Sequence, residues 1–482
     1  MMRETRPLMR PLSLFQKQNP IYAKLVLFLL FGVTIFLYSS RSIDYSTPPL
    51  QNPTSFVSSN STENDVLITS HAKDLETQPS SEFDLQESEI EPLIVDEGSP
   101  STSSSNEVHI DEAKPDDEAK PEDEAKPNDE AKPKCNLFKG EWVPNPKGPA
   151  YNNFTCNYIE STQNCLTNGR PDTGYLYWRW KPRDCELPKF DPERFLNFMR
   201  NKTFAFIGDS INRNHVQSLL CILSQVDEPK IIYRDEQFKS MTFFFPSYNF
   251  TLARVWAPFL LKAETFEDSD GVSSGDIQLD LDKLEENWTK QYKDFDYVII
   301  GGGQWFFKRT IYHENNQVQG CHYCPGKNLT ELGFDYAYRK AINRVLTFIT
   351  SSNPKTQVLF RTFTPSHFEN GKWDDGGNCK RKVPFKGNEI NITETNRILY
   401  DIEMQEFDKA SSVASKKGIT LKLFDSTQLS LLRPDGHPGP YRDYQPFAKD
   451  KNAKVQNDCL HWCLPGPIDT WNELVLETLM NG

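Results

Sequence analysis

Three short, continuously apolar runs punctuate the middle of this 482-residue chain: Thr203 to Ile207, Tyr297 to Ile300 and Gln357 to Phe360. An unbroken apolar run of that length is the pattern of a strand buried on both faces, as in a parallel sheet. A fourth run, Thr420 to Phe424, is broken by Lys422 but offers a further strand. The first two end in glycine and a turn. After the first, the apolar positions change period: Ile211, Val216, Leu219, Leu220 and Leu223 share one face and predict a helix over 211–223. Strands alternating with helical segments predict a doubly wound α/β domain with helices on both faces. Residues 135 to about 195, and those around 360 to 395, follow neither period and are expected to form a smaller irregular lobe beside the sheet. Sheets of this kind bind ligands outside the carboxyl ends of their strands. Ser210 and the stretch Gly301-Gly302-Gly303-Gln304 both fall there.

The N-terminal third follows other rules. Leu25 to Tyr38 is apolar throughout, and extending it back to Ile21 across Lys24 gives 18 residues, near the lower limit for a membrane span. Lys24 can snorkel to the headgroups. Arg3, Arg6, Arg10 and Lys17 on the N-terminal flank favour a cytoplasmic N-terminus. Ser39-Ser40-Arg41-Ser42 is a poor cleavage site, so a retained signal anchor is expected. Residues 42 to 134 carry 23 acidic and 6 basic side chains and few large apolar ones, too few to offset chain entropy. Glu-Ala-Lys-Pro recurs at 112–115, 118–121, 124–127 and 130–133. The repeated proline prevents a continuous helix. The expected organisation is a cytoplasmic tail at 1–20, an anchor at 21–38, a disordered acidic stem at 39–134 and a catalytic domain at 135–482.

Charge and cysteine content narrow the partners and the compartment. The chain's net charge of −13 belongs to the stem, so the near-neutral folded part offers no electrostatic reason for nucleic acid as a partner. All 10 cysteines lie in that part: Cys135, Cys156, Cys165, Cys185, Cys221, Cys321, Cys324, Cys379, Cys459 and Cys463. Seven Asn-x-Ser/Thr sequons (Asn60, Asn153, Asn201, Asn249, Asn287, Asn328 and Asn391) point, with the cysteines, to a secretory lumen where disulfides are expected. Cys321-His322-Tyr323-Cys324 and Cys459-x-x-x-Cys463 have metal-like spacing. An oxidising lumen favours disulfides over zinc at both, with the connectivity open.

The candidate chemistry is acyl transfer. Ser210 follows the first strand in Gly208-Asp209-Ser210, and Asp458 and His461 stand three apart near the C-terminus. A serine hydroxyl becomes a nucleophile when a histidine takes its proton, and a carboxylate fixes that histidine's tautomer. Ser210 is thus the expected nucleophile, His461 the base and Asp458 its orienter. Asp209 is expected to hold the loop. The backbone N–H of Ser210, and Gly303 and Gln304 within 301–304, are candidate oxyanion donors. Arg213 and Asn214 either fix the loop or touch substrate. His215 lies too far round the helix to face the hydroxyl, whereas His367 and His437 are candidates for lining the cleft. Trp178, Trp180, Trp256, Trp305, Trp373 and Trp462 offer flat faces for sugars, although most large aromatics are core.

Several blocks carry a specific resemblance. Gly208-Asp209-Ser210-Ile211-Asn212-Arg213-Asn214 resembles the GDS-x-x-R-N block of the plant trichome birefringence-like family. Asp458-Cys459-Leu460-His461-Trp462-Cys463-Leu464-Pro465-Gly466 resembles its D-C-x-H-W-C-L-P-G block. Asn168 to Asp172, Tyr177 to Pro182, Arg361 to Phe368 and Arg433 to Pro438 match as well, so the likeness covers about 135–482. Gln304 departs from many members, in a way that touches substrate choice rather than the triad. The resemblance implies an SGNH-hydrolase-like fold, oxidised cysteines and a Golgi polysaccharide O-acetyltransferase working through an acetyl-serine. No cofactor or metal is expected. An acetyl donor is required, its identity open, with an acetyl-CoA-derived group and a membrane importer as candidates. The implied acceptor is a hemicellulose of the cell wall. Gly303 to Phe307 followed by Gly320 to Cys324 looks most like members acting on xyloglucan, ahead of mannan and then xylan. A wall acetylesterase and a non-catalytic polysaccharide-binding protein are the competing readings.

Overall fold

The computed structural model describes residues 135–264, 275–352, 354–387 and 389–481. The anchor at 21–38 and the stem at 39–134 lie outside them. Among the described residues no helix is long and apolar enough to cross a membrane.

The elements run β1 (Gly140–Pro144), β2 (Trp178–Pro182), α1 (Pro192–Phe198), β3 (Thr203–Gly208), α2 (Ser210–Leu223), β4 (Lys230–Arg234), β5 (Met241–Phe245), β6 (Phe250–Trp256), β7 (Leu261–Glu264) and β8 (Ile277–Leu284). There follow α3 (Glu286–Thr289), β9 (Tyr297–Gly301), β10 (Thr310–Glu314), β11 (Gln317–His322), α4 (Gly333–Ile349), β12 (Gln357–Arg361), α5 (Glu394–Lys417), β13 (Leu421–Phe424), α6 (Thr427–Leu431) and α7 (Asp469–Asn481). The main sheet has the order β13-β12-β9-β3-β6-β5-β4. From β13 to β6 it is parallel, and β5 and β4 extend it as an antiparallel hairpin. The four runs read from the sequence are β3, β9, β12 and β13, four of the five parallel strands. A second sheet, β11-β10-β8-β7, and the two-stranded antiparallel sheet β1-β2 lie outside those runs.

Both faces of the parallel strands are covered. On β3, Phe204 and Phe206 point into a core with α1, α2 and α7, while Ala205 and Ile207 point into another with α4 and α5. Tyr297 and Ile299 against Val298 and Ile300 on β9, and Leu359 against Val358 and Phe360 on β12, alternate in the same sense. Unbroken apolar strands are the consequence of that double burial. The expected smaller lobe, 135–195, packs onto the α2/α7 side, where Trp142 and Trp180 join the core. The described residues from 362 to 393 form no helix or named strand.

From β3 the chain proceeds to β6 on one side, then returns to β9 on the other. The order therefore reverses between β3 and β9, and the crevice outside their carboxyl ends is the ligand position of such sheets.

Candidate active site

The turn from β3 into α2 presents Ser210. Gly208 has φ +151°, and a Cβ there would overlap the Gly301 carbonyl oxygen of β9, so only glycine allows the two strand ends to close together. Asp209 is the N-cap of α2, its carboxylate accepting the Ile211 N–H at 3.0 Å. Burial raises the Asp209 carboxyl, with Arg361 and the Ile211 N–H pulling it back. Its role is the expected one of holding the loop. Ser210, the first residue of α2, is half-buried, and its Oγ lies 2.7 Å from His461 Nε2.

His461 Nδ1 lies 2.8 Å from Asp458 Oδ2. A carboxylate there keeps the proton on Nδ1 and leaves Nε2 to accept the serine hydroxyl. Asp458 Oδ1 accepts the N–H groups of Leu460 and His461 at 3.1 and 2.9 Å. Burial raises the Asp458 carboxyl, but His461 and these N–H bonds outweigh it and hold the group well below the usual carboxylate range. The three side chains brought together are those the sequence singled out. Chemically, the arrangement can move a proton off Ser210 Oγ as that oxygen attacks a carbonyl carbon.

No helix or strand carries the Asp458–His461 segment; distant contacts hold it. Asp458 and Gly439 exchange backbone bonds at 2.8 and 3.0 Å. Cys459 is joined to Cys379, and Cys463 to Cys165. Asn214 accepts the Trp462 N–H at 2.7 Å and donates to its carbonyl at 3.2 Å. Asn214 is buried and so braces the base segment; it is not available to substrate.

His367 and His437 also depart from expectation. They are 7% and 3% exposed and meet each other at 2.7 Å. The remaining nitrogens lie 2.8 Å from the carbonyls of Leu431 and His461; two neutral rings carry two N–H groups between them, so the three contacts share two hydrogens. Buried, with every ring nitrogen close to a partner inside the fold, they support the base segment from behind and do not line the cleft. Burial lowers the proton affinity of both rings, His367 to about 4. Arg213 pairs with Glu160 at 3.4 Å, which Arg254 also reaches at 3.5 Å, so it serves in the wall of the site. Gly303, at φ +152°, has Phe363 where a Cβ would stand. The Gln304 amide nitrogen donates to the Thr364 carbonyl at 2.8 Å and is therefore engaged within the fold. His215 is buried among Phe206, Phe424 and Trp471, away from the hydroxyl as expected. Trp180, Trp305 and Trp462 are buried core; Trp178 and Trp256 are half-buried, and Trp373 is exposed.

Two residues of the site had no assigned role. Asn212 donates to the Ile207 carbonyl at 2.5 Å and to that of Gly301 at 3.3 Å, joining the ends of β3 and β9. Arg361 bonds Asn212 Oδ1 at 3.1 Å and Thr364 Oγ1 at 2.8 Å and lies 3.9 Å from Asp209 Oδ1. Both stand in the quoted motifs, but their buried roles depend on partners that only the fold brings close.

The remaining cysteines pair as Cys135–Cys185, Cys156–Cys221 and Cys321–Cys324, and none of the described cysteines is free. Cys321 and Cys324 are thus bonded to each other, and Cys459 and Cys463 each to a distant partner.

Comparison with known proteins agrees with this architecture. Residues 187–478 match the family model PC-Esterase, described as a GDSL/SGNH-like acyl-esterase family found in Pmr5 and Cas1p. Residues 133–186 match the PMR5 N terminal domain. The chain is 58% identical to trichome birefringence-like 25 of Arabidopsis thaliana, over 72% of this chain and 77% of the relative. It is 42% identical to xyloglucan O-acetyltransferase 1 of Populus trichocarpa, over 72% of this chain and 81% of the relative. A solved GDSL-like lipase from Parabacteroides merdae aligns with 60% of this chain and 99% of its own at 11% identity and a TM-score of 0.24, a likeness too slight to carry an argument. A model spanning most of the chain, with relatives this similar, shows that the chain belongs to the PC-Esterase family of GDSL/SGNH-like acyl-esterases, with trichome birefringence-like proteins and xyloglucan O-acetyltransferases among its relatives.

Proposed function

We propose that the chain is a polysaccharide O-acetyltransferase acting on a hemicellulose, with xyloglucan as its acceptor, through an acetyl group carried on Ser210. The observation that carries this reading is the hydrogen-bonded chain Ser210 Oγ–His461 Nε2 and His461 Nδ1–Asp458 Oδ2 at the carboxyl end of β3. In the first step Ser210 Oγ attacks the acetyl carbonyl while its proton passes to His461, which returns it to the departing group. In the second, a sugar hydroxyl gives its proton to His461 and attacks the acetyl-serine carbonyl; the acetyl–Oγ bond breaks and His461 passes that proton to the departing Ser210 Oγ. A bound sugar is oriented for that attack and water is not. Xyloglucan rests on the named relatives at 42 and 44% identity; the more similar ones are named for no substrate, so mannan remains the specific alternative.

The same reading has the chain working in the Golgi lumen behind an anchor at 21–38, with an acetyl donor brought across the membrane by an importer. Five disulfides, and exposed sequon asparagines at 201, 249, 287, 328 and 391, support an oxidising, glycosylating compartment. The test incubates the full-length protein with an acetyl donor and, separately, xyloglucan, mannan and xylan oligosaccharides. Mass spectrometry should find acetylated xyloglucan forming faster than free acetate. A mannan product would move the acceptor and keep the chemistry. Acetate released with no acetylated oligosaccharide would mean an esterase.

A further inference from the structure

Beneath the Gly301–Gln304 turn, one proton is claimed by two acceptors. The Tyr338 hydroxyl, on α4, lies 3.1 Å from the Gly302 carbonyl oxygen and 2.5 Å from Glu403 Oε1 on α5. The other carboxyl oxygen, Glu403 Oε2, accepts the Phe363 N–H at 2.9 Å. A phenol has a single hydrogen to donate. Tyr338 and Glu403 are 1% and 0% exposed, so bulk water does not replace a missing partner. With Glu403 ionised, the hydroxyl turns to the carboxylate, and two oxygens then face each other at Gly302 with no hydrogen between them. With Glu403 neutral, its O–H donates to Tyr338 and Tyr338 donates to Gly302. Only the neutral form satisfies every group.

We propose that Glu403 is held as the neutral acid and acts, through Tyr338, as a positioning residue for the Gly302–Gly303 backbone beside Ser210. The turn it supports abuts the nucleophile. The Gly301 carbonyl touches the Gly208 position, and a Cβ on Gly302 would stand 3.5 Å from Asp209 Oδ2. Burial pushes the Glu403 carboxyl up to about 8, against weaker lowering by the Phe363 N–H, Tyr338 and Arg361, with Asp425 adding to the rise. Arg361 on β12 divides its charge between Asp209 and Glu403. Tyr400, on α5 with Glu403, also lies within electrostatic reach. A carboxyl raised in the fold contributes stability that is fully present below its unfolded value near 4.5 and is lost as pH rises through about 8.

This inference rests on the acetyltransferase reading for its kinetic test, but not for its spectroscopic one. In Glu403→Gln the amide can donate to Tyr338 and still accept the Phe363 N–H, so it mimics the neutral acid permanently. Full-length wild type should lose about tenfold in kcat between pH 7 and pH 9, as a group near pH 8 ionises. Glu403→Gln should stay within about twofold of wild type at pH 7 and remain flat to pH 9. Tyr338→Phe should lose roughly tenfold in kcat at every pH with KM unchanged, less than loss of a direct oxyanion donor costs. Infrared difference spectra should show a protonated carboxyl stretch at pH 7 that is absent from Glu403→Gln, whether or not acetyl transfer is detected. An alkaline limb shared by wild type and Glu403→Gln, or no such band in wild type, would overturn the proposal. If the variant does not fold, a wild-type carboxyl band lost near pH 8, above the range of Glu473 (about 7) and Asp469 (about 6), keeps the proposal, and complete loss of the band by pH 7 overturns it.

Discussion

The proposed nucleophile and the proposed base of this site reach the same crevice by different means. Ser210 stands on a strand–turn–helix unit: β3 is buried on both faces, Gly208 permits the close approach of β9, and Asp209 caps α2. His461 stands on a segment without helix or strand, fixed by Cys379–Cys459, Cys165–Cys463, the side chain of Asn214 and the ring of His437. Backbone rules acting over about ten residues make the first arm. The second exists only when residues far apart in sequence have already met. The nucleophile should therefore tolerate changes elsewhere, while the base should respond to each of its distant braces.

Removing the nucleophile gives the largest effect and sets the scale. Ser210→Ala should lower acetyl transfer by roughly 10⁵-fold, because a triad serine has no substitute. Its stability should change by less than about 0.5 kcal/mol, since one hydroxyl leaves a turn held by other groups. Kinetics paired with chemical denaturation checks both, and a variant keeping a tenth of the activity would end the assignment. Next comes Asp458→Asn. Its amide can present an N–H to His461 Nδ1, which drives the ring proton to Nε2, facing Ser210. A loss of about 10⁴-fold is expected, with the fold intact. Because the Asp458 carboxylate is held well below its ordinary range, its contribution to stability is present above about pH 4 and lost only in stronger acid. The acid limb of an unfolding profile should be shallower in the variant.

The same contrast explains what could be read from the chain. Thr203 to Ile207, the glycine after it and the helical period from Ile211 locate Ser210 without reference to any other part. Asp458 and His461 were legible as chemistry, from identity and spacing. Their supports were not. Asn214 on a first helical turn reads equally as a brace or a substrate contact until Trp462, far along the chain, is seen against it. His367 and His437 look like cleft residues until each is seen to be the other's partner. Some of the missed sheet was nevertheless written locally: Ile277, Leu279 and Leu281 are buried and Gln278, Asp280 and Asp282 are not, a strict period of two along β8. By contrast β4, Lys-Ile-Ile-Tyr-Arg, is exposed at all five positions, and no rule of burial would have placed it.

The crosslinks sharpen the comparison further. Replacing Cys379 and Cys459 together by serine should cost roughly tenfold in activity and about 2–4 kcal/mol in stability, since the pair fixes the residue after Asp458 across a sequence separation of 80. Cys321 and Cys324 are separated by 3 and sit at β11 on the edge of the second sheet, on neither arm of the site, so their double serine variant should change activity by no more than about twofold. Equal losses in the two variants would mean that oxidation matters to the fold as a whole and not to the base arm in particular.

The smallest effect should come from the helix behind the nucleophile. His215 on α2 is fully buried against Phe206, Phe424 and Trp471, and its ring nitrogens make no well-formed hydrogen bond, the side chain of Asn472 offering only a weak one. A poorly partnered buried polar group costs stability, so His215→Phe, which keeps a flat ring, should stabilise the fold by about 1 kcal/mol. Burial lowers the His215 proton affinity to about 3 from an ordinary 6.5, so the unfolded chain takes up a proton in mild acid that the folded one refuses. Stability assigned to this histidine therefore falls as pH drops from about 6.5 towards 3 and is constant above that window. Thermal denaturation of both proteins across that range should show the advantage of His215→Phe widening as pH falls, with acetyl transfer unchanged at neutral pH. An advantage independent of pH would mean that the ring is protonated equally in both states. A loss of activity would mean that the nucleophile arm depends on its core more than the comparison allows.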